Sequence, residues 1–230
     1  MTGVVDFFTA NDIPGVNNWQ VFGGDIPEEI FSSGKVYYVG QSVGMVVAET
    51  REIALEAAHR VKVVYGNEKP LVVDLEQAMD TPTNVTDASD EEYGDVDQAL
   101  ANADHVIEGR FRMGSQYHFH METQTCIVSP VEDGFDVDIA GQDVKIPQRQ
   151  VAAVLNIPDN SVNVTIKRLG GAFGAKVILP LHLACAAATA ANKLNKPVRV
   201  WMTLEDNMKM LGKRHPYLMD YKVFLKMGIQ

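Results

Sequence analysis

Two short stretches of this chain hold residue types that could do chemistry. The first is Arg168-Leu169-Gly170-Gly171-Ala172-Phe173-Gly174-Ala175-Lys176, with three glycines and two alanines in one run. Small residues let a backbone turn sharply and approach a ligand closely. Amides at the start of a following helix suit an anion. The run is not a Walker A loop, because Ala175 precedes the lysine and Val177 follows it where Ser or Thr is required. GxGxxG spacing is absent too. Two readings stay open: a loop that approaches a ligand, and a tight strand-to-helix turn whose small residues serve packing. Phe173 favours the first. An aromatic inside a glycine turn has little local backbone reason to be there, and either covers a buried neighbour or stacks over a ligand.

The second stretch runs from Gln116 through Tyr117-His118-Phe119-His120-Met121-Glu122-Thr123-Gln124 to Cys126. If it is a strand, His118 and His120 share a face at a spacing that could ligate a metal. Two ligands do not complete a site, no third is placed by the sequence, and HExxH is absent. Buried polar groups tied into backbone hydrogen bonds beside a site are the favoured reading for both histidines. Glu122 is a candidate base, but nothing in the sequence shifts its pKa, and no catalytic role is assigned to it. A Gly-x-Ser-x-Gly elbow and a convincing Cys/His pair are missing.

The surrounding pattern must position these groups. Apolar runs at 36–39 and 43–48 predict paired strands. Thr50 then caps a helix with apolar residues at Ile53, Ala54, Ala57, Ala58 and Val61. A β-branched run at 61–65 predicts another strand. Residues 66–103 are poorer in apolar residues and read as a long connection with one short helix at 96–103. Strands are expected at 106–113, 125–129, 135–139, 162–167, 197–202 and 217–225. Helices are expected at 147–156, opened by Pro147, at 179–194, closed by Asn195, and at 205–211. The glycine run thus falls between a strand and a helix. The chain stops at 228–230 soon after strand-like sequence and without a cap, which points to truncation.

Composition excludes several classes. The 230 residues are 46% hydrophobic and 22% charged, ordinary for a globular protein, with a net charge of −10. No basic stripe is present, so nucleic acid and anionic membranes are not expected partners. The acidic cluster 87–97 reads as a solvated loop. No run approaches the roughly 20 apolar residues that span a bilayer, and the first residues, without a basic stretch followed by an apolar run, are not expected to be a secretory signal. Cys126 and Cys185 sit far apart in apolar surroundings and are expected buried and reduced, without an iron–sulfur or zinc site of their own.

Taken together, the two stretches resemble the xanthine dehydrogenase/aldehyde oxidase family of molybdenum hydroxylases. YHFHMETQ at 117–124 is similar to a segment before the family's first molybdopterin-contacting region, and RLGGAFGAK at 168–176 to its glycine loop. AGQD at 140–143 resembles a strand end carrying a glutamine near the molybdenum. PVRVWMTLEDNMKMLGKRHPYLMDY at 197–221 and GKVYYVGQSVGMVVAETREIALEAAHRVKVVY at 34–65 also follow family patterns, so the likeness covers nearly the whole chain.

The resemblance implies an α+β fold. A small hammerhead α/β domain, incomplete at its N-terminus, would occupy 1–80. A linker at 81–103 would lead to the N-terminal part of the molybdopterin-binding α/β domain at 104–230. Gln142, Phe173 and Gly174 would contact the molybdenum–molybdopterin cofactor, Gln142 near an oxo or water-derived ligand. Chain residues would ligate no metal directly. The family's base glutamate is expected C-terminal to residue 230, and its 2Fe–2S clusters and FAD N-terminal to residue 1, so the chain alone is expected to be inactive. Xanthine dehydrogenases carry a glutamate directly after the loop lysine; here that position is Val177. An apolar wall leaves purine edges unpaired and favours an aldehyde or a varied heterocycle. A cytoplasmic homodimer acting on a small molecule is the implied whole.

Overall fold

Alternation along the central strands sets the architecture. The computed structural model describes residues 1–21, 27–80 and 90–228. The chain divides into two units, one formed by Met1–Val63 with Tyr117–Gly212 and the other by Val64–Gln116 with Lys213–Gln230.

In the first unit, β4 (Thr125–Val131), β5 (Gly134–Ile139), β6 (Val162–Thr165) and β7 (Val198–Trp201) form one sheet in the order β6-β5-β4-β7. β5 and β6 are parallel; the other neighbours are antiparallel. Strand β4 buries Cys126 and Val128 but exposes Ile127, and β5 buries Phe135, Val137 and Ile139. The period of two gives the sheet one covered face. Helices α4 (Lys145–Leu155) and α5 (Pro180–Leu194) share a core with that face. Helix α5 is buried along most of its length, and its alanines, Ala184, Ala186, Ala187, Ala188, Ala190 and Ala191, combine high helix propensity with a close approach to neighbours. Left-handed Asn195 closes it, as the sequence implies, and Pro180 stands at its first position, where a missing N–H costs nothing. Helix α4 starts two residues before the expected Pro147, because the Asp143 carboxylate accepts from the Ile146 amide at 2.7 Å.

Two expected strands are not formed. Residues 36–39 and 61–65 carry no ladder, and Val39 and Val64 are almost fully exposed. β-Branched content supplies propensity but not a partner. The strand that pairs with β2 (Met45–Ala48) is instead β1 (Val4–Phe8), antiparallel. Helix α1 (Arg51–Arg60) follows β2 with Thr50 as its cap. Both thiols are buried and free, and burial pushes Cys126 up to about 12 and Cys185 higher still.

In the second unit, β3 (His105–Met113) and β8 (Tyr217–Leu225) form an antiparallel ribbon. Its faces differ in character. Arg110–Asp220 at 2.6 Å and Lys222–Glu108 at 2.6 Å lie on one. Ile107 opposite Val223, and Phe111 opposite Met219, lie on the other. The connection holds a helix the sequence did not signal, α2 (Leu75–Met79), capped by Asp74, as well as α3 (Val96–Ala101), capped by Asp95. So part of the acidic cluster 87–97 caps a helix; its residues 87–89, and 81–89 of the expected linker, lie outside the described residues. Among the described residues, no helix is long and apolar enough to cross a membrane.

One core contact carries a pH prediction. His182 on α5 is half-buried, its Nε2–H donating to the Ile30 carbonyl at 2.9 Å beside Trp19. Burial holds its pKa below the ordinary histidine value. The unfolded chain therefore binds a proton more readily, so the stability contribution is full above about pH 6.5 and is lost as pH falls below it. His120 shifts in the same direction, chiefly through burial. Thermal melts should fall between about pH 7 and pH 5, and His182→Gln should flatten the slope by up to ~1.4 kcal/mol per pH unit while His120 leaves a remainder. An unchanged slope in His182→Gln would remove His182 from this role.

Candidate functional site

The glycine run leaves β6 and turns three times through the left-handed region, at Gly171 (φ 94°), Phe173 (φ 54°) and Gly174 (φ 90°). For Phe173 that conformation costs roughly 1–2 kcal/mol, a strain that surrounding contacts must hold. The residue is 73% exposed, so most of its ring surface is open to a ligand. The amides of residues 171–174 donate to no described residue. A Cβ built on Gly174 would meet no atom within 4 Å. Consecutive unpaired amides beside open space make a concavity suited to anionic or oxo ligands.

The second stretch is not a strand. Residues 117–124 are irregular, and Phe119 is left-handed at φ 50°. His118 and His120 therefore do not present a strand face. His120 is buried, with Nδ1–H donating to the Glu122 carbonyl at 2.5 Å. Among the described residues, no group of three or more His, Cys, Asp or Glu is arranged to hold a metal ion.

Glu122 joins the two stretches. Its amide donates to the Gly170 carbonyl at 3.1 Å, and its Oε2 accepts from the Gly170 amide at 3.0 Å. The same oxygen accepts from Lys176 Nζ at 2.6 Å. The Lys176 side chain is 0% exposed and that of Glu122 33%. Burial pushes the Glu122 carboxyl up, but the Lys176 ammonium and the Gly170 amide outweigh it and hold the carboxyl below its ordinary value. A carboxylate so neutralised is a poor base at neutral pH. Gly170 has no room for a side chain, since a Cβ there would sit 2.5 Å from the Glu122 Cβ.

Gln142 joins the same cluster from the end of β5. Its amide donates to the Lys176 carbonyl at 2.8 Å, and its Oε1 accepts from the Lys176 amide at 3.1 Å. Among the described residues its Nε2 has no partner, and the residue is exposed. Val177 is half-buried, its amide turned back to the Gly174 carbonyl at 3.4 Å. Gln142, Gly174 and Val177 are thus tied to one short loop.

Sequence reasoning missed the role of Lys176 and a polar network beneath the second stretch. Asn207, fully buried, accepts from the Gln124 amide at 2.8 Å and hydrogen-bonds the Tyr117 hydroxyl. A cleft of about 580 Å³ opens on another side of Glu122, lined by Thr123, Thr125, Arg199 and Trp201; Gln142, Phe173, Gly174 and Val177 do not line it.

A four-stranded sheet packed with helices, and a glycine loop with unpaired amides, define an α+β chain. The family model of the molybdopterin cofactor-binding domain matches residues 77–227, and that of the aldehyde oxidase and xanthine dehydrogenase a/b hammerhead domain matches 1–69. The chain belongs to the aldehyde oxidase and xanthine dehydrogenase family of molybdenum hydroxylases, with the hammerhead and molybdopterin-binding fold expected from its sequence. Mouse aldehyde oxidase 3 is 39% identical over 96% of this chain and 16% of its own length. A xanthine dehydrogenase from Blastobotrys adeninivorans is 40% identical over 97% of this chain and 16% of its own length. The chain therefore spans about a sixth of the length of these relatives. The aldehyde oxidoreductase from Desulfovibrio desulfuricans shares the fold, with a TM-score of 0.84 at 20% identity over 98% of this chain and 27% of that one.

Proposed function

We propose that this chain forms one wall of the molybdenum–molybdopterin site of a hydroxylase that oxidises aldehydes, and N-heterocycles beside them, to acids or hydroxylated products. The observation that carries the reading is the joining of Gln142 and the free amides of 171–174 through Lys176. These donors fit a cofactor rich in oxo and anionic groups. When bound, that cofactor supplies oxidation of a C–H bond beside oxygen or nitrogen, with the inserted oxygen coming from water.

The chain's own residues bind and orient. Gln142 directs its free Nε2–H at a ligand oxygen, while its Oε1 is occupied by the Lys176 amide. Phe173 and Gly174 offer amides without side-chain obstruction at Gly174. Val177 gives an apolar wall to the substrate. The catalytic base lies outside this chain in this reading, as do 2Fe–2S clusters and FAD, so these residues alone do not turn over substrate. Domain limits of 1–80 and 104–230, joined by 81–103, are part of the same proposal. So are a homodimeric state and a cytoplasmic location for the full-length protein, which rest on the family resemblance.

A purine hydroxylase of xanthine dehydrogenase type is the second reading, favoured by the 40% identity to such an enzyme. The full-length protein should carry molybdenum and pterin and show a higher kcat/KM for an aromatic aldehyde than for hypoxanthine. A purine preference would establish the second reading in place of the first; a full-length protein without pterin would overturn both.

A further inference from the structure

Lys176 presents a problem that neither cofactor contact nor packing explains. Its side chain is wholly enclosed, yet it carries an ammonium whose carboxylate partner, Glu122, lies 54 positions earlier in the chain. An enclosed charge of this kind is tolerated only when it is paired and hydrogen-bonded. The partner oxygen does two things at once, because Glu122 Oε2 also accepts from the Gly170 amide at 3.0 Å. The backbone of Lys176 in turn holds Gln142 at both its amide and its Oε1. One residue pair therefore touches the loop where it enters its left-handed turns, at Gly170, and where it leaves them, at Lys176. Between these points lie Gly171, Phe173 and Gly174, all with positive φ.

We propose that Glu122 and Lys176 are positioning residues that clamp both ends of the 170–176 loop and so hold the amides of 171–174 and the side chain of Gln142 in register. The clamp accounts for Phe173 staying left-handed with most of its side chain in solvent: a residue 73% exposed has little packing of its own to hold the turn, and the flanks supply the constraint. It also explains the need for glycine at position 170, where a Cβ would displace Glu122. The consequence for cofactor retention rests on the function proposed above; the clamp itself does not.

Amide hydrogen exchange on the full-length protein tests it. Glu122→Leu/Lys176→Met replaces the ion pair with apolar side chains, a change that leaves many folds as stable as before. The amide of Gly170 loses its acceptor, so it and the Lys176 amide should exchange at least about five-fold faster while the amides of α5 keep wild-type rates. Glu122→Gln/Lys176→Met restores an acceptor for Gly170 without stranding a charge, and should return that amide toward the wild-type rate. This rescue separates positioning from general stability. Should the Leu/Met variant fail to fold, the comparison of the Gln/Met variant with Glu122→Ala/Lys176→Met gives the same readout. Wild-type loop exchange without the pair, or loop and α5 accelerating together, would overturn the clamp. Pterin content, measured on the same samples, should fall with loop protection. Loss of loop protection in a protein that never carries pterin would uphold the clamp and sink the cofactor reading instead.

Discussion

Glu122→Ala should lower stability by about 3 kcal/mol, whereas Lys176→Met should cost about 1 kcal/mol or less. The asymmetry follows from burial. Removing Glu122 leaves the Lys176 ammonium fully enclosed with no carboxylate, and no other ion-pair partner for Lys176 is present among the described residues. Removing Lys176 leaves a carboxylate that is one-third exposed and still bonded to the Gly170 amide. Water solvates the second orphan and not the first. Urea midpoints of the two variants, compared at neutral pH, measure the difference. Acid should act in the same direction. Because the folded Glu122 carboxyl is held below its ordinary value, its contribution is full above about pH 4.3 and fades as pH falls through the lower folded value. The wild-type protein should therefore lose stability on acidification below that point, and Glu122→Ala should lack this part of the loss. Equal costs for the two single variants would mean that water reaches Lys176 and that the pair is not enclosed in solution.

The elements that carry this site were largely legible where the signal is local. Helix α5 follows from its alanine run between Pro180 and Asn195, and β4, β5, β7 and β8 follow from alternation. The strands expected at 36–39 and 61–65 failed because β-branched residues specify a pleated chain but not a neighbour. Strand β1 supplied the neighbour for β2, from residues whose short run gave no comparable pattern. The site shows the same division. The glycine run announced its own turns, since Gly171 and Gly174 take the left-handed conformations that glycine permits. Gln142 was reached only through the family resemblance, because no spacing rule links a strand end to a loop 34 residues away; two hydrogen bonds to Lys176 make that link in space. The Glu122–Lys176 pair was out of reach for the same reason. A lysine among Gly, Ala and Val is the one sequence signal that could have raised the question of what neutralises it.

Val177→Glu in the full-length protein should raise the ratio of kcat/KM for hypoxanthine over that for an aromatic aldehyde by about 10- to 100-fold. Identity does not decide between the substrates, since a xanthine dehydrogenase matches this chain at 40% and an aldehyde oxidase at 39%. The distinction must rest on side chains that meet the substrate. Valine can neither donate to nor accept from a purine edge, and each such group left unpaired in a closed site costs roughly 1–3 kcal/mol. A small aldehyde presents fewer polar edges and loses less against the same wall. Val177 is half-buried, so a glutamate there can keep part of its carboxyl hydrated in the free protein and surrender that hydration only to a matching ligand. The gain should therefore appear in the purine term, with the aldehyde term falling by less. Val177→Gln separates hydrogen bonding from charge: a shift of similar size would assign the effect to the acceptor and donor atoms, and a much smaller one to the carboxylate. An unchanged ratio in both variants would place Val177 outside the substrate pocket and leave the purine and aldehyde readings to be decided elsewhere in the protein.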